Sequence, residues 1–281
     1  MAIILPEIFT QAVNEKLDVS LRIGRVAYDA TGDIDNGAIR EAGSTIHFPT
    51  INRVAKAVEV VKGTPLVPAT LDMTDTTAVI KHMAVPFRVY DAEQTQIKGN
   101  AKNAVVEQVA TEMARQIDFD LTTAMDSDAV FKTPTAASDS ITLAELYDAV
   151  SYFDDSIDTN TFAGIVINSR LWNSFIQFPE FIKSNYSWSN QDNGVVRDGV
   201  IGYLFAGIPV LVSNNGTYDD VADECKTYFV KKNALGYILQ KDITLEEQRN
   251  ALLLATDVVA SSLYATKLLD SRGCVILRKT A

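Results

Sequence analysis

Two cysteines and two histidines are all that 281 residues supply. Cys225 and Cys274 are too few for a disulfide framework or a four-cysteine metal site, and neither C-x-x-C nor H-E-x-x-H spacing occurs. His47 and His82 leave histidine-based catalysis few forms, and no G-x-S-x-G elbow presents a serine to either. Phosphate-cradling loops are missing as well. The nearest stretch, GVIGYLFAG at 199–207, has the wrong spacing and no lysine, and strand-turn-strand packing explains it. Positive charge is in deficit: 25 Lys and Arg against 36 Asp and Glu leave −11, which argues against a surface built to neutralise nucleic-acid phosphates. Long apolar runs are lacking too. ALLLA at 251–255 is far below the ~20 residues needed to cross a bilayer. At the N-terminus, MAIILPEIF has no basic residue before its apolar run, and Pro6 and Glu7 cut that run short, unlike a signal peptide. The chain therefore reads as soluble and made in a cytoplasm.

Weaker hints dissolve on inspection. In TGDIDNG (31–37), counting back from Gly37 puts Gly32 at the first calcium-ligand position and Gly43 at the twelfth, so a turn is the reading. The acid pairs Asp154-Asp155, Asp219-Asp220 and Glu246-Glu247 are adjacent in sequence and do not converge as a glycosidase pair does; solvated charge is expected. Cys274, inside GCVILRK, reads as a buried, inert thiol. No catalytic, metal or cofactor site is expected, and an enzyme has no nucleophile, base or cofactor loop to stand on.

What is present is a globular composition, 47% hydrophobic and 22% charged, enough to bury a core and too apolar for a disordered chain. Ile8, Ala12, Val13 and Leu17 have helical spacing after Pro6. From Gly43 the pattern turns extended, with a half-buried strand around 45–51. The runs 53–63 and 76–90 read as two further strands, and Pro65 and Pro68 between them suit a long projecting hairpin better than a core element. Its side chains are too small to form a core alone, so such an arm needs a second surface to lie on. The clearest helix is 100–125, where Val105, Val109, Met113, Ile117 and Leu121 recur every four residues on one broad apolar face.

After a polar linker (133–142), Thr142-x-x-Glu145 is a capping-box sequence opening a helix. Residues 163–167 read as a buried strand, Asn168 as the cap of a short helix that Pro179 ends, and 184–199 as a surface loop. Strands are expected at 200–205, 208–213 and 227–231, making 140–240 a compact α/β unit. The tail, 243–279, reads as extended. Helix competes over 251–268, but Thr256, Val258, Val259, Thr266 and two serines favour strand.

This order of parts resembles the major capsid protein of tailed bacteriophages, with the HK97-like fold. The stretches that carry the likeness are PEIFTQAVNEKL near the N-terminus, GSTIHFPTI, the helix ending IDFDL, AGIPVLVSNN (206–215) and EEQRNALLLATDVVASSLYATKLLDSRGCVILRK (246–279). The resemblance implies an α+β chain: an N-arm at 1–35, an extended E-loop hairpin with flanking strands at 36–90, a P domain with a long spine helix at 91–138, an inserted α/β A domain at 139–240, and a return to the P domain at 241–281. It implies a coat subunit that self-assembles through pentamers and hexamers into an icosahedral head around double-stranded DNA, hence a virion location. Expected partners are further copies of the chain, a separate scaffolding protein (N-arm-like sequence follows Met1 at once), a portal, and packaged DNA in non-specific proximity. Arg53, Lys56 and Lys62, with Glu59 between, are a local +2 against the acidic background. They are expected to dock on a neighbour's acidic surface, for which Glu107, Glu112, Asp118 and Asp120 of the spine helix are candidates. An encapsulin shell shares the same parts and is told apart by particle contents. A hydrolase hidden in the 140–240 unit would declare itself by a saturable activity.

Overall fold

A computed structural model of the chain describes residues 17, 20–33, 42–51, 59, 73–90, 101–154, 157–179, 200–205 and 207–280. Its strands are β1 (Tyr28–Asp29), β2 (Thr45–Ile51), β3 (Met73–Val79), β4 (Lys81–Tyr90), β5 (Phe131–Pro134), β6 (Phe162–Ile167), β7 (Val200–Leu204), β8 (Ile208–Val212), β9 (Tyr218–Asp219), β10 (Glu224–Cys225), β11 (Thr227–Lys231), β12 (Leu235–Asn250), β13 (Ala255–Leu268) and β14 (Cys274–Arg278). The helices are the spine, Ala101–Asp128, and two shorter ones, Leu143–Ser151 and Trp172–Ile176. The N-terminal helix expected around residues 8–17, the strand at 53–63 and the loop at 184–199 lie almost entirely outside the described residues.

The spine runs 28 residues, about 42 Å at 1.5 Å per residue. Of its predicted stripe, Val109, Met113, Ile117 and Leu121 are at most 4% exposed, as is Met125 one turn on, with Ala110 and Ala114 between them, while the side chain of Val105 lies outside the description. Each large side chain buried this way contributes about 1.5–3 kcal/mol. The stripe packs on Val258, Ala260, Tyr264 and Leu268 of β13 and on Leu17, Leu21, Ile23 and Val26 of the N-terminal segment.

β13 lies at the centre of a four-stranded sheet ordered β1-β12-β13-β4. Strand wins over helix in the tail because β13 finds a full ladder on both sides, antiparallel to β12 and to β4. β12 starts earlier than the expected 243, since Leu235 and Ile238 are wholly buried and join the ladder. β4 is the sheet's edge, which is where a strand can carry Pro86 without forfeiting a ladder bond.

The run 76–90 is not one strand. It breaks at Ile80, which is buried with Ala30, Ile46, Ala78, Ile238 and Ala265 in a small separate core. The Ile80 N–H donates to Ser44 O (3.0 Å) and Gly43 N–H to Ile80 O (2.8 Å), with Gly43 at φ +87°. Upstream, β3 pairs antiparallel with β2 to make a two-stranded arm; downstream, β4 joins the four-stranded sheet. The arm is thus built from 45–51 and 73–79.

The second sheet has six strands in the order β5-β14-β11-β6-β8-β7. Its core is aromatic, with Phe153, Phe162, Phe175, Phe178 and Phe229 buried among Ile165, Ile167, Val210 and Leu277. Thr142 and Glu145 form the reciprocal cap expected of them: Glu145 N–H donates to Thr142 Oγ1 and Thr142 N–H to Glu145 Oε2 (2.6 Å). Asn168 Oδ1 accepts from Arg170 N–H (3.0 Å), starting the turn that leads into Trp172–Ile176. The α/β unit is not confined to 139–240, because β5 and β14 come from either side of that span. Gly216 ties this unit to the spine. Its φ is +72°, and a Cβ there would stand 2.1 Å from Thr122 Oγ1.

Candidate assembly surface

An isolated two-stranded ribbon is marginal in water. Among the described residues the β2–β3 arm has its buried side chains at its root, Ile46 and Ala78. Farther out, the exposed pair His47 Nδ1 and Asp75 Oδ2 (2.5 Å) bridges the two strands. Arg53, Lys56 and Lys62 lie outside the described residues, while Glu59 is exposed.

The spine acids divide. Glu112 is exposed and pairs with Arg115 (2.7 Å) on the solvent face. Glu107 is carried by the same helix, its side chain outside the description. Asp118 and Asp120 are not surface charges. Asp118 is 1% exposed. Its carboxylate accepts the N–H groups of Arg22 (3.1 Å), Ile23 (3.0 Å) and Gly24 (3.1 Å), capping the first turn after Leu21. Burial pushes its pKa up to about 6, against the pull of those donors. Asp120 accepts from the Tyr264 hydroxyl (2.8 Å) and pairs with Lys81 Nζ (3.0 Å). Both acids are therefore committed within the subunit, and the docking role expected of them is corrected. At 3.6 residues per turn they flank the Met113–Ile117–Leu121 stripe rather than oppose it, whereas Glu112 points away.

Where the spine ends, charge is again internal. Lys226 Nζ reaches Asp126 (2.7 Å) and Asp219 (3.3 Å), and Arg278 reaches Asp219 (3.1 Å) and Glu224 (2.5 Å). Glu224, with no exposed surface, also accepts from Thr280 N–H (2.8 Å) and Oγ1 (2.6 Å), and its pKa falls below the usual range despite burial, through these donors and Arg278. Tyr228 donates to Asp126 Oδ1 (2.9 Å). This network clamps the spine, the β9–β10 hairpin and the C-terminal strand together. Asp219, expected as solvated charge, is one of its members.

Burial pushes the Cys225 thiol up to about 11 and Cys274 higher still. Among the described residues no group of three His, Cys, Asp or Glu is placed to hold a metal, and no helix is long and apolar enough to cross a membrane. Among the described residues the surface features that remain are a ribbon with a partial core and scattered exposed apolar side chains.

No protein-family model matches the chain, and no curated protein sequence matches it. Solved structures do. One from Mycobacterium phage Che8 superposes with a TM-score of 0.66 at 19% identity, covering 91% of this chain and 90% of that one. The capsid structure of cyanophage P-SCSP1u gives 0.63 at 15% identity, over 85% and 84%. The fold is that of phage capsid structures. It extends to a virus-like particle from Pyrococcus furiosus, with a TM-score of 0.61 at 12% identity over 96% and 98%. Cover this complete from both sides means that the capsid fold accounts for nearly the whole chain and not for one unit of it. At such identities the likeness lies in the backbone path, so the roles of side chains rest on the contacts above.

Proposed function

We propose that this chain is the major capsid protein of a tailed bacteriophage, built on the HK97-like plan. The observation that carries the reading is the nearly end-to-end likeness to phage capsid structures. The arm supports it physically. A two-stranded ribbon gains by lying across a neighbouring subunit, and closed shells are built from such heterologous contacts repeated around rings.

In this reading 1–35 is the N-arm, 36–90 the E-loop, 91–138 and 241–281 the P domain, and 139–240 the main part of the A domain. Copies of the chain form pentamers and hexamers of an icosahedral head. A separate scaffold guides assembly, a portal occupies one vertex, and double-stranded DNA fills a container whose subunits carry net negative charge.

Size-exclusion chromatography with negative-stain microscopy, on the protein alone and with its candidate scaffold, tests this directly. Rings of five and six or closed shells are the expected result. A 30.8 kDa monomer under both conditions overturns it. The likeness to the Pyrococcus furiosus particle, over 98% of that chain, favours one second reading, an encapsulin-type compartment. Particle contents separate the two: genome-length DNA for a phage head, a captured enzyme for a compartment.

A further inference from the structure

The loop after β8 reads Ser-Asn-Asn-Gly-Thr over 213–217 and meets the spine beside Asp118. Asn215 is half-buried, and its side-chain amide donates to the Asp118 carboxylate. Its backbone N–H donates to Ser213 Oγ (3.3 Å), and its carbonyl accepts from Thr122 Oγ1 (3.3 Å). One residue on, the Gly216 carbonyl accepts from the Tyr228 hydroxyl (3.5 Å). The Asn215–Gly216 bond is thereby held between the spine and β11. No acceptor for the Gly216 N–H is found among the described residues. Glycine is required at 216 by the φ of +72° and by the contact that a Cβ would make with Thr122.

An Asn-Gly pair can close on itself. The Gly216 nitrogen, with no Cβ beside it, attacks Asn215 Cγ, and a five-membered succinimide forms as the amide nitrogen departs. That departure needs a proton. Asp118 lies against the departing nitrogen, is 1% exposed, and is pushed up to about 6 by burial, so part of it is protonated near neutral pH. The charged groups around it are otherwise engaged. The N-terminal segment brings the Arg22 guanidinium, which donates to Val212 O (3.2 Å), and Arg115 on the spine is held by Glu112. The loop 213–217 brings no titratable side chain.

We propose that Asn215–Gly216 is a self-modification site at which Asp118 is the general acid for deamidation of Asn215. The bond from Gly216 N to Asn215 Cγ forms, the Cγ–Nδ2 bond breaks, and Asp118 gives its proton to Nδ2, which leaves as ammonia. The proton lost from Gly216 N restores Asp118 through solvent. Water then opens the ring at either carbonyl, leaving aspartate or isoaspartate. The product sets a second carboxylate against a buried one, and two such groups cannot both ionise at close range. The joint of spine, N-terminal segment and α/β unit therefore loosens, irreversibly and without an enzyme.

The test incubates full-length protein at pH 6 and at pH 8.5 and maps peptides by mass spectrometry for the amide-to-acid mass increase. The Asn-Gly pairs at 36–37 and 193–194 are internal standards. Uncatalysed closure accelerates with hydroxide, whereas Asp118 loses its proton over this range. Conversion at Asn215 relative to the standards should therefore fall about tenfold or more from pH 6 to pH 8.5. Asp118→Asn, with circular dichroism confirming the fold, should slow conversion at Asn215 by a similar factor and leave the standards unchanged. Asn215→Asp installs the product and should melt below the wild type at pH 8.5. An Asn215 still unconverted when the standards have converted overturns the site. A rate at Asn215 that climbs with pH in step with the standards, in wild type and Asp118→Asn alike, overturns the role of Asp118. A Tm unchanged in Asn215→Asp overturns the loosening.

Discussion

Asp118 shows how one carboxylate can join distant parts of a chain. It lies on the spine yet accepts three N–H groups from residues 22–24, almost a hundred positions away in sequence. Its pKa rises from 3.8 to about 6 because burial outweighs those donors. The native state thus holds a proton here that the unfolded chain has released between pH 4 and 6, so stability falls as pH rises through that window. The shift is worth about 3 kcal/mol. Asp118→Asn keeps an acceptor for Ile23 and Gly24 and removes the titration. Urea unfolding at pH 4.5 and 7.5 should therefore show the wild type losing ground to the variant at the higher pH by up to that amount. An unchanged difference between the two proteins counts against burial as the cause.

At the scale of elements, local signals and packing reinforce each other. The capping box opens Leu143–Ser151, a nine-residue helix too short to persist alone, whose Leu146 and Ala149 lie in the aromatic core. Thr142→Ala removes the acceptor for Glu145 N–H and the hydroxyl donor to Glu145 Oε2. It should cost about 1 kcal/mol in chemical denaturation, with m unchanged. A loss near zero would mean that packing alone places this helix. The spine behaves differently. Its stripe touches both the four-stranded sheet and the N-terminal segment, and Gly216 brings the loop after β8 against Thr122, so the spine holds together everything around it.

For the whole molecule, the internal network of Asp126, Lys226, Asp219, Arg278 and Glu224 uses up charge that composition alone would assign to the surface. We propose that Arg53, Lys56 and Lys62 dock electrostatically on a neighbouring copy. With Asp118 and Asp120 taken up inside the subunit, Glu107 and Glu112 are the candidate spine acids that remain for this proposed contact. Reversing Lys56→Glu and Lys62→Glu together should impair shell formation, most strongly at low ionic strength where the introduced repulsion is least screened, and leave the monomer folded. Normal shells from this double variant, counted by microscopy, would refute the docking role.

The sequence by itself determined what depends on neighbours a few residues apart. The spine's four-residue apolar recurrence, the Thr142–Glu145 cap and the Asn168 cap are short-range patterns that appear in the structure where the pattern places them, whereas the strand expected over 251–268 begins only at Ala255, because 251–254 form the turn between β12 and β13. The poverty in Cys and His, likewise a property of composition, pointed away from catalysis, and the likeness of layout pointed to a capsid subunit. Only the tertiary structure decided which sheet each strand joins and which charges face water. The 76–90 run divides because Ile80 finds a separate core, β14 crosses into the α/β unit's sheet, and Asp118, Asp120 and Asp219 find donors on other elements. Periodicity records which face of an element is apolar. It does not record which of many distant groups will cover that face, because that choice is made by burial and hydrogen bonding between residues tens to hundreds of positions apart.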